Sequence, residues 1–231
     1  MTENLVEITE NLVEIDVLSL LQFFDEAVPA SHYHATAVVA VAGEDMGAGL
    51  VAHYLRQQGL TVEVLPGPCT QGTRREVRLD RWIRTIHDGN AIYYQVEIKN
   101  WSAHAIGGKA LKANALPNEI AAHKIERWSR EWDGSTFRKS GARKVLTPMK
   151  PPKPNSKVEP LIVYWDAMHP SGEREPFFFV PLENLAFSRV WIFSMSAYLR
   201  ELLSSGISKV MLEMPDTVQR VWWLKRLFMI L

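Results

Sequence analysis

The sequence predicts an α/β fold in which helices flank a mixed central β-sheet. Three observations lead to this prediction. The segment Gly43–Gly49 opens a helix that ends at Gly59. Segments of alternating apolar and polar residues follow it, and the pair Asp88-Gly89 joins two of them as in a β-hairpin. Helices and strands mixed in this order pack as layers around one core.

Each element is predicted from its composition and from the turn residues around it. β-Branched and apolar residues predict strands, and Gly, Ala and Lys over 102–117 predict a loop. The predicted strands are 36–42, 61–65, 76–86, 91–99, 161–165, 177–180 and 209–212, and the predicted helices are 43–58, 118–132, 190–203 and 217–231. The run of helix, three strands, helix and strand between residues 43 and 165 implies an α/β sandwich around a mixed sheet.

The N-terminus carries a tandem repeat, Thr-Glu-Asn-Leu-Val-Glu-Ile, at residues 2–8 and 9–15. Its stripe of apolar residues at three- and four-residue spacing consists of Leu5, Ile8, Leu12 and Ile15. The stripe predicts an amphipathic helix packed on the body, with a dimerisation or regulatory helix as the alternative. We therefore predict an N-terminal helical extension over 1–35 and one α/β domain over 36–231, which ends in a further helix.

The composition is that of a soluble globular protein, with 47% hydrophobic and 23% charged residues. The 231 residues suffice for one sizeable core. The single cysteine, Cys69, excludes an internal disulfide framework and a cysteine-rich zinc site, so a reducing cytoplasm is the expected compartment. Because no apolar run reaches the roughly 18 residues of a spanning helix, we expect a cytoplasmic protein without a membrane partner.

The net charge of +0 hides an asymmetry along the chain. The residues before Arg56 include nine acids and no Lys or Arg, so all 26 basic residues follow, with the other 17 acids. Residues 136–158 form a basic loop with four prolines and no acid. A solvated loop is the ordinary interpretation of such a segment, and contact with a phosphate backbone is the functional alternative. The candidate contacts are Arg138, Lys139, Arg143 and Lys144.

The only acidic-x-lysine triplet of the chain is Glu97-Ile98-Lys99, at the end of a predicted strand. Side chains alternate along a strand, so Glu97 and Lys99 share one face with Gln95. The residues that point to the opposite face, and so to a core, are Tyr94, Val96 and Ile98. Asp80 lies on the preceding strand of the predicted hairpin. The pattern therefore predicts that two carboxylates and a lysine meet at one point.

Two carboxylates and a lysine are suited to the hydrolysis of a phosphodiester. Mg²⁺ prefers hard oxygen ligands and retains several waters, and a bound metal lowers the pKa of such a water. A neighbouring lysine can orient or deprotonate the water and offset developing charge. We therefore expect a Mg²⁺ site here, at which Mn²⁺ would substitute.

This arrangement resembles the PD-(D/E)XK nuclease superfamily over about residues 42–165. Its members carry an Asp near a strand bend and an acidic-x-Lys on the next strand of a restriction-endonuclease-like αβββαβ core. The resemblance implies that Asp80 and Glu97 bind the metal together with the main-chain carbonyl of Ile98. It implies that Lys99 positions the attacking water. In this chain Leu79 replaces the proline that precedes the Asp in the family.

The resemblance also implies a further acid on the first helix, where Glu44 stands. The alternative for Glu44 is a favourable interaction with the positive end of the helix dipole. In a regular strand, Arg78 and Asp80 point to the same face. We therefore expect Arg78 either to contact phosphate or to lie on a solvated face of the sheet. By the same resemblance we expect a Mg²⁺-dependent endodeoxyribonuclease that acts on DNA, with RNA left open, and by analogy a homodimer.

Two other functions compete with this hypothesis. The first is a nucleic-acid-binding or assembly module that keeps the fold but has lost turnover. The second is a dinucleotide-binding unit over 38–65, which has a strand, a glycine-rich turn, a helix and a strand in order. The glycines at 43, 47 and 49 do not have the spacing of that motif, and Pro66-Gly67 replaces the acid expected after the second strand.

Overall fold

The computed structural model describes residues 11–25, 37–65, 69–71, 77–87, 89–99, 145–183 and 185–228. The strands are β1 (Leu12–Asp16), β2 (Thr61–Leu65), β3 (Cys69–Gln71), β4 (Val77–Leu79), β5 (Arg81–His87), β6 (Asn90–Lys99), β7 (Lys157–Tyr164), β8 (Phe177–Pro181), β9 (Arg189–Ser194) and β10 (Lys209–Glu213). The helices are α1 (Val17–Asp25), a π-helix (Val39–Gly43), α2 (Glu44–Gln57), α3 (Met195–Ser204) and α4 (Pro215–Phe228).

The central sheet has six strands in the order β2-β5-β6-β7-β9-β8. Strands β2, β5 and β6 form an antiparallel meander, while β7 and β9 continue the sheet parallel to β6. Strand β8 closes the edge antiparallel to β9. The predicted mixed sheet flanked by helices is therefore confirmed. The predicted helix 118–132 lies outside the residues that the structure describes.

Apolar clusters cover both faces of this sheet. On one face, α1, α2 and α3 pack against Tyr94, Val96 and Ile98 of β6, as the alternation in the sequence predicts. Helix α2 comes so close to β6 that a Cβ added at Gly47 would lie 2.9 Å from Cγ2 of Ile98. The opposite face is covered in part by Val145, Leu146 and Met149. The end of β6 is thus held between two hydrophobic clusters, one on each face of the sheet.

Two predicted elements have a different structure. Residues 37–43 are helical and run into α2, whereas a strand was predicted for 36–42. A short apolar run cannot distinguish a strand from a buried helix, which explains the error. The described end of the N-terminal repeat, Leu12–Asp16, is strand β1 paired with β10, and a helix was predicted there. Its Leu-Val-Glu-Ile segment also fits a strand, and the distant partner β10 decides the outcome.

Two other boundaries differ from the prediction. Residues 190–194 belong to β9, and the predicted helix 190–203 begins only at Met195. A strand buried on both faces lacks the alternation that would have revealed it. In the predicted basic loop 136–158, the described part is not simply solvated, because Val145, Leu146 and Met149 are buried and β7 already begins at Lys157.

The sheet contains an ion pair around the buried carboxylate of Glu159, and this pair predicts sensitivity to acid. Both oxygens of Glu159 accept hydrogen bonds from Arg189, at 2.9 and 3.1 Å, and Lys157 Nζ lies 2.8 Å from Glu159 Oε1. Burial by itself would raise the pKa of Glu159, but the bonds from Arg189 and Lys157 outweigh it and the net shift lowers that pKa.

A group with a lowered pKa in the folded state stabilises the fold above its unfolded-state pKa. This contribution is lost as the pH falls through the lowered value. We therefore expect the free energy of unfolding to fall below about pH 4.5 in part because of Glu159. A Glu159→Gln variant should be less stable at neutral pH and should lose less stability on acidification. Urea unfolding from neutral pH to about pH 3 measures both. An identical pH profile for the two proteins would contradict the assignment.

Candidate active site

Strand β6 ends in a carboxylate and a lysine that contact each other. Glu97 is 2% exposed, and Nζ of Lys99 donates a hydrogen bond to its Oε1. The prediction that these two side chains share a face is confirmed by this contact. The Lys99 side chain keeps 22% of its surface exposed, whereas that of Glu97 keeps 3%.

Gln95, the third side chain on this face, is fully buried. Its Nε2 donates to the carbonyl oxygens of Val145 and Thr147, the latter at 3.0 Å. Its Oε1 accepts a hydrogen bond from the Met149 nitrogen at 3.0 Å. A buried amide with three such bonds fixes the segment 145–149 over the middle of β6. Accessibility on this face therefore increases from Gln95 towards Lys99.

Asp80 lies in the bend between β4 and β5, directly beside the end of β6. Its nitrogen donates to the Val96 carbonyl at 3.1 Å, and its Oδ2 accepts a hydrogen bond from the Ile98 nitrogen at 2.7 Å. The structure thus brings Asp80 to the main chain of the residue between Glu97 and Lys99. Because the strand is interrupted at Asp80, the Asp80 carboxylate can turn towards β6.

The main-chain carbonyl of Ile98 faces the same side of β6 as Asp80. Peptide groups two residues apart along a strand point to the same neighbour. Because the Val96 carbonyl accepts from the Asp80 nitrogen, Ile98 presents its N–H and C=O to that side as well. The register of β5 on β6 ends at the pair Arg81 and Val96. The Ile98 carbonyl lies beyond this last pair.

Arg81 anchors the bend that carries Asp80. Arg81 is 3% exposed, and its Nη1 donates to the Asp80 carbonyl at 2.8 Å. Its guanidinium forms ion pairs with Asp45 at 3.5 Å, Glu44 at 3.9 Å and Asp216. Asp45 in turn accepts a hydrogen bond from the Thr217 nitrogen at 2.8 Å. This network joins the first turns of α2 and α4 to β5.

The structure places Glu44 in this network. Arg81 pairs in register with Val96, so both point towards the helices α1 to α3, whereas the next residue, Glu97, points to the opposite face. The contact described for Glu44 is its ion pair with Arg81, and its side chain is 47% exposed. The neighbouring Asp45 is the buried acid of the helix start. Sequence reasoning did not predict the contacts among Arg81, Asp45 and Asp216, because no spacing rule links residues so far apart.

The predicted nucleic-acid contacts lie largely outside the described residues. This applies to Arg138, Lys139, Arg143 and Lys144. The backbone of Arg78 belongs to β4, where it pairs with Thr70, and its side chain is not among those described. The five predicted nucleic-acid contacts therefore stay predictions.

The oxygen donors at the end of β6 are of the chemical kind that Mg²⁺ prefers. Within the described ranges, no group of three or more His, Cys, Asp or Glu side chains is arranged to hold a metal. Mg²⁺ needs no such group, since it is held by one or two carboxylates and completes its shell with waters and substrate oxygens. Asp80, Glu97 and the Ile98 carbonyl offer such a set of hard oxygen ligands.

Comparison with known proteins adds no assignment: no protein-family model, curated protein or solved structure matches this chain. In the part of the chain that the structure describes, no helix has both the length and the apolar character of a membrane span. The geometry of the site is therefore the basis for a functional proposal.

Proposed function

We propose that this chain is a Mg²⁺-dependent endonuclease of the PD-(D/E)XK type that hydrolyses phosphodiester bonds in DNA. The observation that carries the proposal is a pair of contacts at the end of β6. Lys99 donates to Glu97, and the Asp80 carboxylate accepts a hydrogen bond from the nitrogen of Ile98, the residue between them. The order of helix α2, strands β2, β5 and β6, and the later strand β7 supports the same proposal, because it is the order that the resemblance implies.

Each residue of the proposed site has its own chemical role. Asp80 and Glu97, with the Ile98 carbonyl, would hold Mg²⁺, which when bound lowers the pKa of a water and neutralises phosphate charge. The Lys99 side chain is partly exposed, and its ammonium group contacts Glu97. It can therefore orient a water against a phosphate placed at the end of β6 and offset the charge that develops there.

A second function is favoured by one feature of the same site. Lys99 donates to Glu97, and Asp80 accepts from Ile98, so each candidate group has a bonding partner within the chain. Such contacts also suit a module that binds nucleic acid through this fold without cutting it. Salt-dependent binding of an oligonucleotide, with no cleavage in Mg²⁺ or Mn²⁺, would identify that module.

The metal site can be tested independently of cleavage. We expect Mn²⁺ to bind the purified chain and to give a bound-ion signal in electron paramagnetic resonance. Asp80→Asn and Glu97→Gln should each weaken binding by about 10-fold or more, because each removes a charged ligand. The matched control is Glu63→Gln, an exposed carboxylate on the same sheet that pairs with Arg84 at 3.1 Å. Equal Mn²⁺ affinity in all four proteins would refute the site.

Cleavage itself is tested with single- and double-stranded DNA and with RNA of the same sequence. The proposal expects internal cuts in DNA that require the divalent ion. If RNA is cleaved and DNA is not, the proposed chemistry stands and the proposed substrate is corrected to RNA. Cleavage that persists in a chelator would contradict the proposed mechanism.

A further inference from the structure

The guanidinium of Arg81 connects the start of helix α4 to the bend that carries Asp80. Its Nη1 donates to the Asp80 carbonyl at 2.8 Å, and its Nη2 contacts Oδ2 of Asp216 in the first turn of α4. A guanidinium is planar and rigid, so the position of Nη2 determines that of Nη1. The carboxylate of Asp216 therefore helps to determine where the Asp80 carbonyl lies.

A second carboxylate at Nη2 is tied to α4 as well. Asp45 Oδ1 lies 3.5 Å from Nη2 of Arg81, and Asp45 Oδ2 accepts a hydrogen bond from the Thr217 nitrogen at 2.8 Å. Arg81 and Asp45 are both buried, so little water competes for these contacts. The start of α4 thus holds the guanidinium directly through Asp216 and indirectly through Asp45.

Strand β6 and Arg81 hold Asp80 at different atoms. The nitrogen and the carboxylate of Asp80 bond to Val96 and Ile98 of β6, whereas its carbonyl bonds to Arg81. A shift of the guanidinium would therefore move the bend against β6 and change the direction of the carboxylate. When a group that orients a metal ligand in this way is replaced, the metal affinity typically falls by about 10- to 100-fold.

We propose that Asp216 is a positioning residue for the metal site and that it acts on Asp80 through Arg81. This inference rests on the proposed function, because it takes Asp80 as a ligand of Mg²⁺. It gives α4 a part in the site, although this helix follows the αβββαβ core that the resemblance implies. Metal binding at Asp80 and the position of the first turn of α4 are then coupled, so that a change at one alters the other.

The Mn²⁺ affinity of the folded protein tests the proposal. We expect Asp216→Asn to weaken Mn²⁺ binding at least about 5-fold, the lower end of typical coupling between sites. Asp216→Glu keeps a carboxylate and should retain most of the natural affinity. The Asp216 side chain is 40% exposed, so neither substitution should change the urea midpoint by much. A lower midpoint with unchanged Mn²⁺ affinity would show a merely structural role and overturn the proposal.

The matched control is Glu213→Gln. The Glu213 side chain is 39% exposed and accepts a hydrogen bond from Nη2 of Arg56 at 3.1 Å, and the same nitrogen donates to the Val62 carbonyl at 3.1 Å. This repeats the arrangement of carboxylate, arginine and main-chain carbonyl on β2, a strand that does not border β6. Glu213→Gln should leave the Mn²⁺ affinity unchanged. An equal loss in the Asp216→Asn and Glu213→Gln proteins would overturn the proposal.

The route through Asp80 is tested in protein that already carries Asp80→Asn. In that protein, Asp216→Asn should cause no further loss of Mn²⁺ affinity, because its effect passes through a carboxylate that is no longer there. If Asp216→Asn causes the same loss with and without Asp80→Asn, Asp216 does not act through Asp80 and the proposed route is wrong.

A measurement without metal separates this inference from the proposed function. The Ile98 amide donates to Asp80 at 2.7 Å, and its NMR resonance is assigned by its absence in Ile98→Val. In metal-free protein, Asp216→Asn should shift this resonance, and Glu213→Gln should leave it in place. A resonance that Asp216→Asn does not move would overturn the proposal. If the resonance shifts but the natural protein binds no Mn²⁺, the coupling of α4 to Asp80 stands and the proposed metal site fails.

Discussion

Replacing Lys99 with Ala should lower the rate of phosphodiester cleavage by about 10²- to 10⁴-fold, the range for loss of a group that orients or deprotonates the attacking water. The side chain lies at the end of β6 and is partly exposed, so its removal should leave the cores on both faces intact. Single-turnover cleavage at saturating Mg²⁺ measures the chemical step apart from substrate binding.

The control for this substitution is Lys209→Ala. Lys209 also forms an ion pair with a glutamate, Glu14, at 2.7 Å, but at an exposed position on the small β1–β10 sheet. Its replacement should leave the cleavage rate unchanged. If the Lys99→Ala protein has the same circular dichroism spectrum and still cleaves at the natural rate, Lys99 takes no part in the mechanism. If the cleavage rate of this variant falls while its affinity for the oligonucleotide is unchanged, the result supports a catalytic role for Lys99 over a binding role.

Replacing Arg81 with Met should destabilise the fold by about 3–5 kcal/mol, because it leaves the carboxylate of Asp45 buried without its cation. Both side chains are 4% exposed, and Asp45 would retain the hydrogen bond from Thr217. The guanidinium also holds the Asp80 carbonyl, so the bend beside the candidate site loses its anchor. Urea unfolding measures the loss as a lower midpoint at an unchanged slope.

Two further variants separate the ion pair from simple loss of packing. Arg84→Met removes a more exposed pair with Glu63 and should cost less than about 1 kcal/mol. Adding Asp45→Asn to Arg81→Met should recover part of the lost stability, because the buried charge is removed with its partner. Additive effects of the two substitutions would show that Arg81 and Asp45 do not interact in the folded state.

The sequence predicted the structure best where the arrangement of side chains depends on a single strand. Glu97 and Lys99 share a face, and Tyr94, Val96 and Ile98 enter the core, because alternation along a strand is a local property. The hairpin signal at Asp88-Gly89 predicts Asp80 on the strand 76–86 that neighbours β6. In the structure that strand is interrupted at Asp80, which lies in the bend between β4 and β5 and accepts a hydrogen bond from Ile98.

Predictions were wrong where distant parts of the chain decide the structure. Leu12–Asp16 carries a spacing that suits a helix, yet its partner β10 lies at the other end of the chain and makes it a strand. The helix start offered two acids, and only the packing of α4 and β5 around it determines that Asp45 is buried while Glu44 stays exposed. The partners of Arg81 could not be predicted for the same reason, since its three carboxylates come from α2 and α4.

The pairing of β1 with β10 has a consequence for the order of folding during synthesis. Strand β1 is translated almost two hundred residues before its partner Lys209–Glu213. At about 5–20 residues per second, β1 waits roughly ten to forty seconds for the strand that completes its hydrogen bonds. During this interval its edge is open to other chains. We therefore expect β1 to pair with β10 only after all six strands of the central sheet have been synthesised, since these lie between β1 and β10 in the chain.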